Sequence, residues 1–129
     1  MPTYSRDYDS VNYNPAMPVV EIGLISSLSG EQAVALTAVV DSGADATMLP
    51  IDVLKSADAL HYQLRGMRGV TGQLIPVDAY HIIISVGPYV IPGIKAVAMQ
   101  AGSEAILGRD VLNQLELTLN GPAQETWVA

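Results

Sequence analysis

Apolar residues in this chain fall in short blocks cut by glycine, proline and polar turns. Val19 to Ile25 is apolar enough for a strand, and Ser29-Gly30 marks a turn after it. Gln32 to Val40 is then the return strand of a hairpin. Thr47-Met48-Leu49 predicts a short extended piece, and Pro50 suits the opening of a helical turn reaching about Lys55. Tyr62-Gln63-Leu64 leads into a glycine-bearing turn at residues 66–72. Leu74 to Val86 reads as one long strand centred on Ile82-Ile83-Ile84 and turned by Gly87-Pro88. Tyr89 to Ile91 and Ile94 to Met99 are predicted as two strands around Pro92-Gly93. Gly102-Ser103 opens a loop before Ile106-Leu107, and Gly108 to Gln114 is a short helix. Leu115, Leu117 and Leu119 alternate with Glu116 and Thr118, a strand with one apolar face. Asn120-Gly121-Pro122 ends that strand. The tail through Trp127-Val128 folds back as a hairpin, extends an interface or hangs free. Many short strands and turns together predict an all-β, barrel-like domain.

The polar stretch 1–18, with Tyr4, Tyr8, Tyr13, Pro15 and Pro18, reads as an extended, partly disordered arm ahead of a domain covering 19–129. The length of 129 residues suits one domain. Half the residues are hydrophobic, enough for a core without staples, but there is no Phe and one Trp, so aliphatic side chains must build it. No Cys means no disulfide, no thiolate catalysis and no Cys-ligated zinc. A formal charge of -7 without a basic cluster argues against a nucleic-acid partner, because neutralising phosphates takes Lys and Arg. The apolar runs are far short of a membrane span and no secretory h-region is present, so the expected location is cytoplasmic or undetermined, with no membrane partner.

The chemistry concentrates where the apolar run ending at Val40 meets a carboxylate, in Val39-Val40-Asp41-Ser42-Gly43-Ala44. An ionised carboxylate beside an apolar strand is costly unless it is solvated, paired or hydrogen-bonded. Asp-Ser-Gly is also an ordinary turn composition, so by itself it decides nothing. Other constellations are missing. There is no Gly-x-Ser-x-Gly. His61 and His81 lack metal-ligand company, and the glycines at 66, 69 and 72 form no dinucleotide or phosphate loop. No metal and no cofactor are expected.

Two further stretches change the odds: Gly66-Met67-Arg68-Gly69-Val70-Thr71-Gly72 and Ala105-Ile106-Leu107-Gly108-Arg109-Asp110. With the Asp41 segment, in this order and spacing from about Val19 to Leu119, they resemble the retroviral-type aspartic proteases (retropepsins). The resemblance implies a closed barrel with one short C-terminal helix, a flap hairpin and a homodimer. It implies Asp41 as the catalytic acid/base, Ser42, Gly43 and Ala44 as the active-site loop, and Ser42 as a cross-brace between two such loops. Met67, Arg68, Gly69, Val70, Thr71 and Gly72 stand where the family has its flap, and Glu104 and Ile106 where it has a substrate-pocket wall. Asp45 and Arg109 stand where the family has a structural ion pair. The tip is less glycine-rich than in some viral members.

Amide hydrolysis by this route takes two carboxyls, one to accept a proton from water and one to polarise the carbonyl. In aspartic proteases such a pair shares one proton because both cannot ionise side by side. This chain has one Asp-Ser-Gly, so the second Asp41 must come from a second copy. The expected activity is therefore a homodimeric, pepstatin-sensitive aspartic endopeptidase with a bell-shaped pH profile and an acidic optimum, acting on peptides or proteins. A Met start and a chain that looks complete lean towards a free-standing cellular enzyme. A catalytically inactive dimerisation or peptide-binding domain of the same fold is the alternative, and a β-barrel ligand-binding protein a third.

Overall fold

The computed structural model describes residues 4–68 and 70–129, without the side chains of residues 63–65 and 67. Strands dominate: β1 (Tyr4–Asp7), β2 (Val19–Ile25), β3 (Gln32–Val40), β4 (Met48–Pro50), β5 (Leu60–Arg68), β6 (Leu74–Val86), β7 (Tyr89–Met99), β8 (Ile106–Leu107), β9 (Leu117–Asn120) and β10 (Glu125–Val128). Two short helices interrupt them, α1 (Ile51–Ser56) and α2 (Arg109–Leu112). The all-β expectation holds. No helix among the described residues is long and apolar enough to cross a membrane.

The larger sheet has the order β2-β3-β8-β4-β7-β6-β5, and β2 also pairs with β6. Its centre is aliphatic. Ile22, Leu24, Leu49, Leu54, Ile82, Ile84 and Leu107 are all buried to 1% exposure or less. Each such side chain is worth about 1.5–3 kcal/mol of burial, which is how a chain without Phe still closes a core. Burial along β3 rises towards its C-terminal end, where Ala38 and Val39 are buried. The residue that follows that end, Asp41, is thus carried by the best-packed part of the strand.

β7 is one strand, where the sequence predicted two. Its register with β6 jumps from Ile82↔Ile94 to Ile84↔Ile91. Pro92 and Gly93 are accommodated at this bulge, where the missing proline N–H breaks no ladder bond and Gly93 takes a positive φ of 74°.

A second sheet has the order β1-β10-β9. Residues 4–7 of the polar arm are therefore a strand rather than a loose end, paired with β10 in the register Tyr4↔Val128 to Asp7↔Glu125. The tail after Asn120 folds back as a hairpin onto β9. Of the alternatives left open for that tail, the hairpin is the one adopted. The terminal strands β1, β9 and β10 pair with one another within the chain.

Candidate active site

β3 delivers Asp41 and β8 holds the strand end in place. The two strands are parallel, with Val39↔Ile106 and Val40↔Leu107 in register. The Asp41 N–H donates to the Leu107 carbonyl at 3.1 Å, and Val39 N–H donates to Ala105 at 2.9 Å. From the other side the Val40 N–H donates to Pro18 O at 3.1 Å. The chain then turns: the Gly43 N–H donates to Asp41 Oδ1 at 2.9 Å, and the Ala44 N–H to the Asp41 carbonyl at 3.2 Å. A Cβ on Gly43 would lie 3.1 Å from Asp41 Oδ1, so glycine keeps the carboxylate uncrowded. Asp41 is half-buried, while Ser42 and Gly43 are exposed on the single chain.

Behind the loop sits a polar knot that the sequence reading missed. Thr47 is fully buried. Its hydroxyl donates to Asp110 Oδ1 at 2.7 Å and accepts the Gly108 N–H at 3.1 Å. Its own N–H donates to Asp110 Oδ2 at 3.1 Å. Every polar group of the knot is thereby satisfied, as a buried hydroxyl beside a half-buried carboxylate requires. The close approach needs Gly108, where a Cβ would stand 2.6 Å from the Ala46 carbonyl carbon and 2.7 Å from its oxygen. The Arg109 N–H donates to Ala44 O at 2.8 Å, joining the start of α2 to the loop. The signal available in sequence was Thr47, six residues after Asp41, facing the Gly108-Arg109-Asp110 turn; nothing local says that the two meet.

Arg109 is not paired with Asp45. Its Nη1 donates to the Ser42 carbonyl at 2.7 Å instead. Among the described residues the ion pairs are Arg6–Glu21 and His61–Asp78, each at 2.9 Å and each partly solvated. The physical reason is that both Asp45 and Arg109 are exposed, so water competes for the charges and the carbonyl of the turn is the nearer acceptor.

Ile106 is half-buried between Val39 on β3 and Met48 on β4. Glu104 is exposed, and its carboxylate accepts the hydroxyl of Tyr13 from the polar arm. A cleft of about 430 Å³ is lined by Tyr13, Val39, Asp52 and Glu104 among others, and Asp41 is not one of its lining residues. The β5–β6 hairpin carries the segment read as a flap. Arg68 Nη1 donates to Gly72 O at 2.8 Å, Gly72 has a φ of 88°, and the Thr71 hydroxyl donates to Gln73. Val70, Thr71 and Gly72 are exposed. Gly69 and the side chain of Met67 lie outside the described residues. Among the described residues no hydrogen bond joins this hairpin tip to the Asp41 loop.

Residues 14–120 match the family model described as retroviral aspartyl protease. The chain belongs to the retroviral aspartyl protease family. The matched stretch runs from the polar arm to the end of β9 and so takes in the Asp41 loop, the β5–β6 hairpin and the Thr47–Asp110 knot. Comparison with curated proteins finds no match. Within this retroviral aspartyl protease domain, Asp41 stands at the open end of a parallel strand pair, its loop anchored from behind and its carboxylate half-buried.

Proposed function

We propose that the chain is an aspartic endopeptidase that works as a homodimer, with the two Asp41 carboxyls facing each other across a twofold axis. The observation that carries this reading is the placement of Asp41. It is fixed through its own N–H to Leu107, while Ser42 and Gly43 beside it are left exposed. One copy per chain makes half a site.

A water held between the two carboxyls loses a proton to the ionised one while the protonated one donates to the substrate carbonyl oxygen. The hydroxide oxygen bonds to the carbonyl carbon, giving a tetrahedral diol. The carboxyl that took the proton passes it to the amide nitrogen as the C–N bond breaks. The other carboxyl, now ionised, takes a proton from a diol hydroxyl. A carboxylic acid and an amine leave, and the pair again holds one proton. No metal or cofactor enters this scheme. The β5–β6 hairpin acts as a flap over the peptide, with Arg68 to Gly72 at its tip, excluding water. Glu104 and Ile106 line the side-chain pockets. The β2–β6 pairing supports a closed barrel beneath the site.

The test is cleavage of a mixed peptide library, with and without pepstatin, by wild type and Asp41→Asn. Inhibited cleavage that vanishes in Asp41→Asn is expected. A wild-type chain that binds peptides but cuts none would make it the inactive binding module of the same fold.

A further inference from the structure

We propose that the β5–β6 hairpin hinges at a bulge at Tyr62, and that His61 and Asp78 form a proton-operated latch across it, closed in acid and loose near neutral pH. The inference rests on the flap reading above and adds a control to it.

The hairpin has a fixed end and a free end. β5 is the last strand of its sheet, and among the described residues it pairs only with β6. Just before it, the Ala59 N–H donates to Leu54 O at 3.0 Å, which ties the root to α1. At the other end no hydrogen bond among the described residues reaches the Asp41 loop. Between the two ends the ladder slips. Leu60↔His81 and His61↔Tyr80 are in register, and pairing resumes at Gln63↔Ala79, so Tyr62 is the extra residue of a bulge. A bulge leaves one residue unpaired and bends its strand, which makes it the compliant point of a two-stranded ribbon.

Both histidines of the chain flank this bulge. His61 Nε2 lies 2.9 Å from Asp78 Oδ1. Asp78 stands opposite Leu64, so the contact runs diagonally over the bulge and joins its two sides. The His61 ring also meets Tyr80 edge-on, with centroids 5.2 Å apart. Tyr80 and His81 are adjacent on β6 and face opposite sides of the sheet. On the His81 side, the Tyr62 ring stands 4.7 Å from the imidazole. Lys95 Nζ lies 4.3 Å from the Tyr62 ring centroid and donates to its hydroxyl at 3.2 Å.

The charged and titratable groups around His61 are thus Asp78 and Tyr80 on its own face, and His81 and Lys95 beyond the bulge. Histidine changes charge between about pH 5 and pH 8, where carboxylates are already ionised and ammonium groups still charged. A proton on His61 therefore turns a polar contact into an ion pair with Asp78. A proton on His81 meets the like charge of Lys95 directly across the β6–β7 ladder and works against the latch. The His61 pair decides the sign, because its contact is direct at 2.9 Å while the Lys95 ammonium is turned to the Tyr62 oxygen. The pair exists only while the hairpin is latched, so acid favours the latched form. Both partners are half-exposed, which keeps the gain modest. In the proposed enzyme the hairpin then closes over substrate in the same acid range in which the Asp41 pair holds its single proton.

The chain has no cysteine, so one nitroxide reports the hairpin tip cleanly. The test places it on Gln73→Cys in the full-length Asp41→Asn chain and reads the ratio of mobile to immobile spectral components at pH 5 and pH 8. The ratio is expected to rise roughly twofold to fivefold with pH, the factor an exposed ion pair carries. His61→Gln is expected to be mobile at both pH values and His61→Arg, with its permanent cation, restrained at both. His81→Gln is expected to keep the step. A tip whose mobility is the same at both pH values overturns the latch. So does a full step in His61→Gln, or a step lost in His81→Gln alone. None of these readings depends on peptide cleavage, so each leaves the protease standing, and a chain that cuts no peptide but shows the His61 step keeps the latch on an inactive fold.

Discussion

The hydroxyl of Tyr13 donates to the carboxylate of Glu104, across 91 residues of sequence. The polar arm is thereby fastened to the loop that precedes β8, and Glu104 has a neutral partner rather than a cation. In the proposed enzyme Glu104 borders a side-chain pocket. Glu104→Ala is expected to lower the preference for basic side chains at that subsite several-fold in cleavage-site profiling. Tyr13→Phe should shift the profile at the same subsite, with kcat on neutral peptides nearly unchanged. Identical profiles for all three proteins would mean that Glu104 faces only water.

Tyr13 is placed by a small turn upstream. Asp9 accepts the backbone N–H groups of Val11 and Asn12, each at 3.0 Å, and the Asn12 side-chain amide at 2.9 Å. The side-chain bond from Asn12, then the backbone bonds from Asn12 and Val11, hold the Asp9 carboxyl below its ordinary value of 3.8. A depressed carboxyl stabilises the fold fully above the unfolded value and loses that contribution as pH falls through the folded one. The stability difference between wild type and Asp9→Ala is therefore expected to stay level from about pH 7 to about pH 5 and to shrink below 3.8. Urea unfolding across that range measures it.

The knot behind the active-site loop should be sensitive to small changes. Thr47→Val leaves the buried Gly108 N–H without its acceptor and removes the hydroxyl donor from Asp110 Oδ1, at a cost of about 1–3 kcal/mol. Gly108→Ala drives a methyl group into the Ala46 carbonyl and should cost about 1–3 kcal/mol as well, because the obstacle is backbone. Both sites share one network, so the double variant should cost less than the sum. Equilibrium denaturation of the three variants gives the comparison.

Arg109 and Asp45 should separate. Asp45→Ala removes an exposed carboxylate with no ion pair and should move stability by no more than about 0.5 kcal/mol. Arg109→Ala frees the Ser42 carbonyl, with a stability cost of about 1 kcal/mol and a larger relative fall in kcat. Equal effects of the two variants on both readouts would restore the ion pair that the family resemblance implied.

Strands built on long apolar runs were legible down to their ends, whereas the alternating run read from Leu115 begins as a strand only at Leu117. Val19–Ile25, Gln32–Val40 and Leu74–Val86 each begin and stop where turn residues say they should. β1 was not legible, because Tyr-Ser-Arg-Asp has no pattern of its own and becomes a strand only when β10 offers it a ladder. β7 was split in the reading because Pro92 and Gly93 look like a turn, and only the register slip against β6 shows them to be a bulge. At the site, Asp41 stood out by local contrast, a carboxylate ending an apolar strand. Asp110 and Tyr13 did not, since their partners lie 63 and 91 residues away and folding alone brings them together.

Trp127 is the one tryptophan of the chain, and it lies on β10 directly across from Thr118. Its indole N–H donates to Glu125 at 3.0 Å, and the ring is half-buried. An optical reporter is thus built into the small sheet, one strand in from its uncharged edge. Emission from this single fluorophore reads the environment of that sheet without any label, and its change on serial dilution gives an association constant from the unmodified chain.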